Sequence, residues 1–574
     1  MNFKILQTTG LKFVSGLVLV TGCFFYFRYV APYHVCFKEQ IQMFMFSSSY
    51  VWSYFPKPAV FACLGGDFLT QFLYFKTGGA AVVTLLLIVE WRLIFLTLKR
   101  FSVEPRYFVS LLPVIVEWIV YPSISFSLSL SASMILILTA FLIYVQANRK
   151  IAVTIGLILI PVLYVIAGAS VFLFFFLVIL YDMHGERKRL AYWAVISTLV
   201  IILPLIFRHS CLLSLNQAYF YPYPDIKHGL SLVVIASIVL LSICFKKLNR
   251  KAFNKVKIKI RNWKSTVTLV VLVAILITGL VKTTDKKMEN LFGIIIEASD
   301  YNWDKVLAIA EKAELQNPIA ACYTNLALSE KNLLGERLME FYQPFSNGLL
   351  LPSVPTPSSN LLTLFSANDA YYHIGDMEMA QHAAMIGMLT TPHQRSARLT
   401  KRLAETNMAI GDMTVAMKYI RMLESTLFYK VQADKLKYKT HQEVFKKDII
   451  RSAADYRISL ELLTESNPDN LPALNYLLCY YLLNKDIPAF FNAYTCYYKV
   501  KIDHVPKAYA EALLIYLATT KATAKELSEY GIRPEIIRSF GEYTRLYQES
   551  RGNLIPMQKK FPNTYWLYYH FADF

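Results

Sequence analysis

GGAAVVTLLLIVEWRLIFLTLKR, residues 78–100, is a long apolar run that ends in the basic pair Lys99-Arg100. It is long enough to cross the hydrocarbon core of a bilayer as an α-helix. Similar runs recur through the first half of the chain. Residues 1–281 hold 26 Lys and Arg against 8 Asp and Glu, whereas residues 282–574 hold 33 against 32. The excess positive charge therefore lies in loops between membrane spans, which is typical of cytoplasmic loops and does not indicate nucleic-acid binding.

Hydropathy predicts about nine membrane spans in the first half. Several of these segments are short, so some could be tilted or re-entrant, and the count could differ by one or two. The nine are residues 11–31, 78–98, 107–122, 124–147, 151–167, 169–183, 190–207, 229–245 and 265–281. With a cytoplasmic N-terminus, the basic clusters all fall on the cytoplasmic side. The only basic residues in the loops on the opposite side are then Lys38, Lys57, Lys76, Arg208 and Lys227. Nine crossings predict an inner-membrane protein whose second half is extracytoplasmic, in the periplasm of a Gram-negative cell.

The second half carries an internal repeat. Ile374-Gly375-Asp376-Met377 recurs 36 residues later as Ile410-Gly411-Asp412-Met413, with Ala380 and Ala416 at the same offset. A turn glycine and a small packing residue at this spacing are typical of tetratricopeptide-like helix pairs. The alternative is ordinary helical packing with coincidental Gly-Asp turns. We expect an all-α protein: a transmembrane bundle over residues 1–281, followed by a soluble tetratricopeptide-like α-solenoid over residues 282–574. The concave face of the solenoid would bind a protein or peptide.

Two acidic residues lie inside predicted spans, each in a Val-Glu-Trp triplet. These are Glu90 and Glu117, and Arg92 is two residues from the first. A carboxylate in the bilayer interior costs about 2.5 kcal/mol or more, so such residues mark either a function or a paired structural contact. We expect Arg92 to neutralise one of them.

The long first loop, residues 32–77, is the richest candidate site on the predicted outer side. Glu39 and Gln42 share one helical face, and Asp67 follows two glycines and precedes an amphipathic run that includes Gln71. Asp67 fits a helix N-cap. It also fits a surface carboxylate that holds a divalent metal or accepts a proton from a hydroxyl group.

The other long outer loop begins with a basic pair. Arg208 and His209 could bind a lipid phosphate. The alternative is a pair that reaches from the apolar region to the interface.

The run Glu39-Gln40-x-Gln42-x-Phe44, the triplet Gly65-Gly66-Asp67 and the run Phe68-Leu69-Thr70-Gln71-Phe72 resemble an uncharacterised family of bacterial multi-pass membrane proteins. Relatives often have His before the Glu, where this chain has Lys38. In layout the chain is more distantly similar to GT-C glycosyltransferases, which combine many spans with an acidic first outer loop. The paired acidic motif of several such enzymes is absent here, so this second resemblance is an analogy of architecture.

Three functions are therefore open. The first is transfer of a sugar from a polyprenyl-phosphate carrier to an extracytoplasmic acceptor, with Asp67 or Glu39 as base or metal ligand and Arg208 at the carrier phosphate. The second is a non-catalytic membrane scaffold that gathers envelope proteins on its repeats. The third, transport, lacks the repeats expected among the spans. GxxxxGK[ST], GxSxG and HExxH motifs are absent from the sequence, which argues against the corresponding soluble enzymes. We expect a lipid bilayer as partner and a divalent metal as the one candidate cofactor.

Overall fold

The computed structural model is helical, and the residues that it describes contain no β-strand. It describes residues 15–103, 106–185, 189–252, 261–350, 356, 358–438, 455–498, 504–521 and 529–572. The predicted all-α class is therefore confirmed for this part of the chain. Two compact units are present: the N-terminal unit is Met1–Asp285 with Ser425–Phe428, and the C-terminal unit is Lys286–Glu424 with Tyr429–Phe574.

The N-terminal unit contains fourteen α-helices within the described residues. In chain order they are α1 (Ser15–Val30), α2 (Pro32–Gln40), α3 (Ser48–Trp52), α4 (Val60–Thr70), α5 (Lys76–Arg100), α6 (Arg106–Val109), α7 (Leu111–Val120), α8 (Leu128–Gln146), α9 (Arg149–Ala167), α10 (Val171–His184), α11 (Leu190–Cys211), α12 (Leu215–Phe220), α13 (Leu230–Ala252) and α14 (Arg261–Thr283).

Each of the nine predicted spans coincides with a helix or a pair of short helices. Five of the described helices are long and apolar enough to cross a membrane, or up to seven if two bent pairs each count as one span. The predicted number of nine is therefore not confirmed. The clearest difference is the segment predicted at 107–122, which is divided into α6 and α7. The two helices separate at Ser110, and Pro113 in the first turn of α7 cannot donate the backbone hydrogen bond to Val109 that would join them.

The apolar stretch Ile151–His184, 34 residues long, is divided between α9 and α10. Gly168 follows α9 with φ 62° and ψ −136°, a conformation open to glycine and strained for other residues. A Cβ at Gly168 would also lie 2.4 Å from the carbonyl oxygen of Tyr221. Both observations require glycine at this turn.

Contacts with α8 show in which direction α9 and α10 run. The hydroxyl of Ser133 bonds to that of Ser170, and two turns further along, the ring of Phe141 lies 6.1 Å from that of Tyr181. Helix α10 therefore runs parallel to α8. Helix α9 follows α8 after only two residues and packs along it, so it runs antiparallel. Helices α9 and α10 thus form a hairpin at the place of the predicted spans 151–167 and 169–183.

The C-terminal unit continues as sixteen further α-helices within the described part of the chain. They are α15 (Lys286–Ser299), α16 (Trp303–Ala313), α17 (Pro318–Glu330), α18 (Leu334–Arg337), α19 (Leu361–Ile374), α20 (Met377–Thr390), α21 (Ala397–Ile410), α22 (Met413–Glu424), α23 (Lys430–Tyr438), α24 (Tyr456–Ser466), α25 (Leu471–Leu483), α26 (Ile487–Ala493), α27 (Lys507–Thr519), α28 (Pro534–Glu549), α29 (Leu554–Lys560) and α30 (Tyr565–Phe571).

The repeated Ile-Gly-Asp-Met motif has the same local structure in both copies. Gly375 ends α19 with φ 96° and Gly411 ends α21 with φ 92°, which is the left-handed C-cap that glycine favours. The aspartate after each glycine, Asp376 or Asp412, accepts a backbone N–H in the first turn of the next helix. The alanine of each copy is fully buried. The helix–turn–helix unit is thus present twice.

Helices distant in sequence also pack together in the C-terminal unit. Helix α25 contacts α17 and α19, and α27 contacts α18. Arg533 bonds to Glu336 at 2.8 Å, although the two are 197 residues apart. A simple solenoid in which each repeat touches only its neighbours has no such contacts. The predicted solenoid therefore stays a prediction, while the paired helices are observed.

One buried carboxyl in this unit predicts a pH-dependent stability. Glu511 of α27 accepts the backbone N–H of Tyr565 at the start of α30, and burial raises the pKa of Glu511 to about 7. Between its unfolded pKa near 4.5 and about 7, the folded state binds more protons than the unfolded state, so stability falls as pH rises through this window and is level above it. We expect Glu511→Gln to remove this fall of up to about 3 kcal/mol.

The measurement is denaturant unfolding of the full chain at pH 5 and pH 8. Glu542→Gln, which alters an exposed carboxylate paired with Lys560, is the control and should leave the pH profile unchanged. Parallel profiles for wild type and Glu511→Gln would show that Glu511 does not bind the proton.

Candidate functional site

The first loop, residues 32–77, folds into short helices. Pro32 begins α2, where its missing N–H removes no helical bond. Ser47 caps α3 by accepting a backbone N–H. Helix α4 begins after Ala59, which has a left-handed backbone, and a 3₁₀ turn at Gln71–Tyr74 leads into α5. The predicted site residues of this loop are thus held in an ordered layer.

Asp67 lies near the end of α4, so the predicted N-cap role is wrong. Its side chain is buried, with 5% of the residue exposed. The hydroxyl of Tyr54 donates to one carboxylate oxygen, and the hydroxyls of Tyr50 and Tyr54 lie 2.6 Å apart. Asp67 also interacts electrostatically with Cys63 and Tyr221. The carboxylate is therefore oriented by a hydroxyl chain within the N-terminal unit.

The two glycines before Asp67 have different environments. A Cβ at Gly66 would lie 2.2 Å from the backbone nitrogen of Ser129, at the start of α8, whereas a Cβ at Gly65 would meet nothing within 4 Å. Helix α4 can therefore contact α8 only because residue 66 has no side chain. This close packing explains why α4 continues through two glycines, which are otherwise unfavourable in helices.

The lysine before Glu39 has a structural role. The ammonium of Lys38 is buried and donates to two backbone carbonyls in the connection between α7 and α8, those of Tyr121 and Phe126, the latter at 2.9 Å. Its three donors are thus largely satisfied within the protein. Glu39, the next residue of α2, is also buried.

The remaining predicted residues of this loop are not brought onto Asp67 by any described contact. The amide of Gln71 donates to the backbone carbonyl of Phe68 in α4 at 3.1 Å, and the amide nitrogen of Gln42 is buried with no hydrogen-bond partner among the described residues. In the described ranges no three His, Cys, Asp or Glu residues converge. Asp67 therefore belongs to no such cluster of three within the described residues.

Arg208 and His209 lie in the last turn of α11, and both are exposed. Cations at the C-terminal end of a helix interact favourably with its dipole. No described contact joins either residue to Asp67 or Glu39. The structure thus leaves these two side chains accessible.

The two carboxyl groups inside the apolar helices do come together. Glu90 of α5 and Glu117 of α7 interact with each other, and they are 0% and 3% exposed. The hydroxyl of Ser131 donates to one oxygen of Glu117, and Ser231 of α13 also interacts with this group. Both oxygens of Glu90 and the second oxygen of Glu117 have no hydrogen bond within the described structure.

Arg92 does not neutralise this pair. It is exposed on another face of α5, where its guanidinium lies 5.7 Å from the ring of Phe95. Two residues along a helix point about 200° apart, so the sequence neighbour of Glu90 cannot share its face. The expectation of an Arg92–Glu90 contact was therefore wrong for a geometric reason.

An open cleft of about 780 Å³ lies within the C-terminal unit. Its lining is polar and includes three glutamates, Glu311, Glu314 and Glu340. Arg337 joins two of them, at 2.8 Å from Glu311 and 2.6 Å from Glu340. Tyr342 adds an exposed aromatic ring. The cleft therefore carries excess negative charge and an aromatic surface.

The hydroxyl groups around these carboxyls are not close to them in the sequence. Tyr54 precedes Asp67 by 13 residues, and Ser131 follows Glu117 by 14, so neither pair has a helical spacing. One signal was available: serines at 127, 129, 131 and 133 interrupt an otherwise apolar span. Hydroxyls repeated every second residue within a span indicate polar contacts between helices.

Residues 7–572 match a family of unknown function (DUF6057). The chain belongs to this family. The match covers nearly the whole chain, including both units, which confirms the expected membership of an uncharacterised family. No curated protein matches the chain, and no solved structure does.

Proposed function

We propose that this protein transfers a sugar from a polyprenyl-phosphate carrier to an acceptor on the extracytoplasmic side of the membrane. The observation that supports this most is the buried, oriented carboxylate of Asp67 in a folded first loop, joined to apolar helices of membrane-spanning length. A bilayer-embedded carrier lipid needs such an apolar unit. A hydroxyl acceptor needs a fixed base in the same unit.

In the proposed reaction, the acceptor hydroxyl attacks the anomeric carbon of the sugar. A new carbon–oxygen bond forms, the bond from this carbon to the carrier phosphate breaks, and the carrier leaves as its phosphate. The acceptor proton passes to the carboxylate of Asp67, with Glu39 as the second candidate base. Tyr54 positions Asp67 through its hydroxyl. A divalent metal, if used, would have Asp67 as its ligand and would neutralise the phosphate.

The remaining residues would bind substrates in this proposal. Arg208 and His209 are exposed at the end of α11 and carry donors suited to the carrier phosphate. Gln42 and Gln71 would bind sugar hydroxyls. The C-terminal unit, placed outside the membrane, would bind the acceptor or a protein partner.

The experiment compares envelope glycans and lipid-linked sugars by mass spectrometry in a deletion strain complemented with wild type, Asp67→Asn or Asp225→Asn. Asp225 is the matched control because it is an exposed aspartate of the other long loop, paired with His228. We expect the deletion to change the glycans, and Asp225→Asn but not Asp67→Asn to restore them at equal membrane levels. Unchanged glycans in the deletion would refute the transferase.

The cleft of the C-terminal unit favours a second candidate, a membrane-anchored scaffold for envelope proteins. Its excess of glutamates and the exposed ring of Tyr342 suit a basic, extended peptide. If the glycans do not change, a photo-crosslinking residue at position 342 should capture a specific envelope protein. The same residue at Tyr438, which is 80% exposed outside the cleft, is the matched control.

A further inference from the structure

The strongest unassigned feature of the molecule is the pair of carboxyl groups in the apolar interior. Glu90 lies 14 residues from Lys76 and 10 residues from Arg100, the two ends of α5. These separations correspond to about 21 Å and about 15 Å along the helix axis. The hydrocarbon core of a bilayer is about 30 Å thick. Glu90 and its partner Glu117 therefore lie near the middle of the membrane when α5 spans it.

No cation of the described residues interacts with either carboxyl, and the buried ammonium of Lys38 lies on the ring of Tyr121, 5.2 Å from its centre. The groups that face the pair are hydroxyls, those of Ser131 from α8, Ser231 from α13, and the phenols of Tyr121 and Tyr223. The thiol of Cys23 in α1 interacts with Tyr121. The apolar stretches of α8, α13 and α14, residues 128–146, 230–245 and 265–281, contain no charged residue.

A second observation points to a ligand at this place. Tyr121 is 1% exposed, its hydroxyl interacts with both carboxyls and with Ser131, and within the described structure it makes no hydrogen bond of ordinary geometry. Together with both oxygens of Glu90 it is a buried polar group with unused bonding capacity. Buried polar groups of this kind are rare, because each costs about 1–3 kcal/mol.

We propose that Glu90 and Glu117 form a proton-binding site in the membrane interior, occupied at neutral pH. Two adjacent carboxylates without a cation cannot both be ionised in an apolar environment. A proton on one carboxyl lets it donate to the other, which satisfies an oxygen of each. Tyr121 then donates to a remaining oxygen. The ligand is thus a proton, and oxygen-only surroundings make sodium the competing occupant.

Protonation of this site would affect the packing of helices in the N-terminal unit. Loss of the proton would place two negative charges together at the contact of α5 with α7. Their repulsion in this environment favours separation of the two helices. Proton binding and release would therefore be coupled to the arrangement of α5 and α7. This coupling is independent of any transferase activity at Asp67.

The test is infrared spectroscopy of the full chain in micelles of dodecyl maltoside, a detergent without ester carbonyls. The method detects the carbonyl stretch of neutral carboxylic acids. We expect this band in the wild type at pH 7, a reduced band in Glu90→Gln and Glu117→Gln, and a loss of the pair's contribution in the double variant. Glutamine is close in shape to a protonated glutamate. Arg92→Gln, on the same helix but exposed, is the matched control and should keep the band.

Two results would overturn the proposal. One is a wild-type band at pH 7 no larger than the contribution of Glu511, whose pKa of about 7 leaves it partly neutral and whose share is measured with Glu511→Gln. The other is displacement of the band when sodium replaces potassium at constant pH, which would identify a sodium site. Unfolding temperatures of all variants are measured alongside, and an unchanged band in a folded double variant would place the proton elsewhere. None of these results depends on glycan transfer.

Discussion

Replacing Gly66 with alanine should prevent the N-terminal unit from reaching its folded state, whereas the same change at Gly65 should be tolerated. A methyl group at residue 66 would lie 2.2 Å from the backbone nitrogen and 2.4 Å from the Cα of Ser129. Neither atom can move without shifting the start of α8. Overpacking against a flexible side chain costs about 1–3 kcal/mol, and a clash with backbone should exceed this range.

The comparison with Gly65 separates this contact from general effects of glycine. A methyl group at residue 65 would meet no atom within 4 Å, and the position is inside α4. Alanine there should stabilise the helix by up to about 1 kcal/mol. The measurement is size-exclusion chromatography and thermal unfolding of the full chain in detergent. Equal behaviour of the two variants would mean that α4 does not contact α8 at residue 66.

The second large effect is expected for Asp369→Asn in the C-terminal unit. Asp369 binds Arg398 through one carboxylate oxygen and Arg402 through the other, the latter at 2.9 Å, and Tyr323 donates to it at 2.8 Å. All four side chains are buried. Burial opposes ionisation of Asp369, but the two guanidinium charges outweigh it and hold the pKa of Asp369 well below its ordinary value.

Asparagine retains the shape of this side chain but removes its charge. Arg402 keeps an ion pair with Glu405 at 3.0 Å, whereas Arg398 loses its ion pair with Asp369. Removing one member of a buried ion pair costs about 3–5 kcal/mol. For a unit of this size, the unfolding temperature should fall by about 10 °C.

Asp304→Asn is the matched control for this prediction. Asp304 pairs with Lys331 at 2.8 Å, but its side chain is 83% exposed, so its loss should change stability by less than about 1 kcal/mol. Both variants are compared by thermal unfolding of the full chain. If Asp369→Asn were no worse than Asp304→Asn, the buried network would contribute little to the fold.

Local features of this chain could be predicted from its sequence. Apolar length and basic loop ends locate the helices of the N-terminal unit, because the bilayer fixes both requirements. Glycine favours the turn at the end of a helix, and Gly375 and Gly411 occupy that position. Aspartate favours the N-cap of a helix, and the aspartate after each glycine has that role. Each of these inferences depends on residues a few positions apart.

Features that depend on distant partners could not be predicted. The two glycines before Asp67 indicated that a helix begins at this residue, because glycine is unfavourable inside helices. Contact between α4 and α8 overrides that preference. Glu90 has a sequence neighbour, Arg92, on the wrong face, and its actual partner comes from another helix. A pairing between helices depends on how they are rotated and packed, which one sequence does not specify.

The packing of α25 on α17 and of α27 on α18 has a consequence for how the C-terminal unit forms. Residues near 330 emerge from the ribosome long before those near 480 and 510 that cover them. The early helices therefore spend much of synthesis with apolar surface uncovered, and a high contact order slows the final closure. Premature termination after α24 should thus yield an aggregation-prone chain, whereas an array stabilised only by neighbouring repeats could be shortened repeat by repeat.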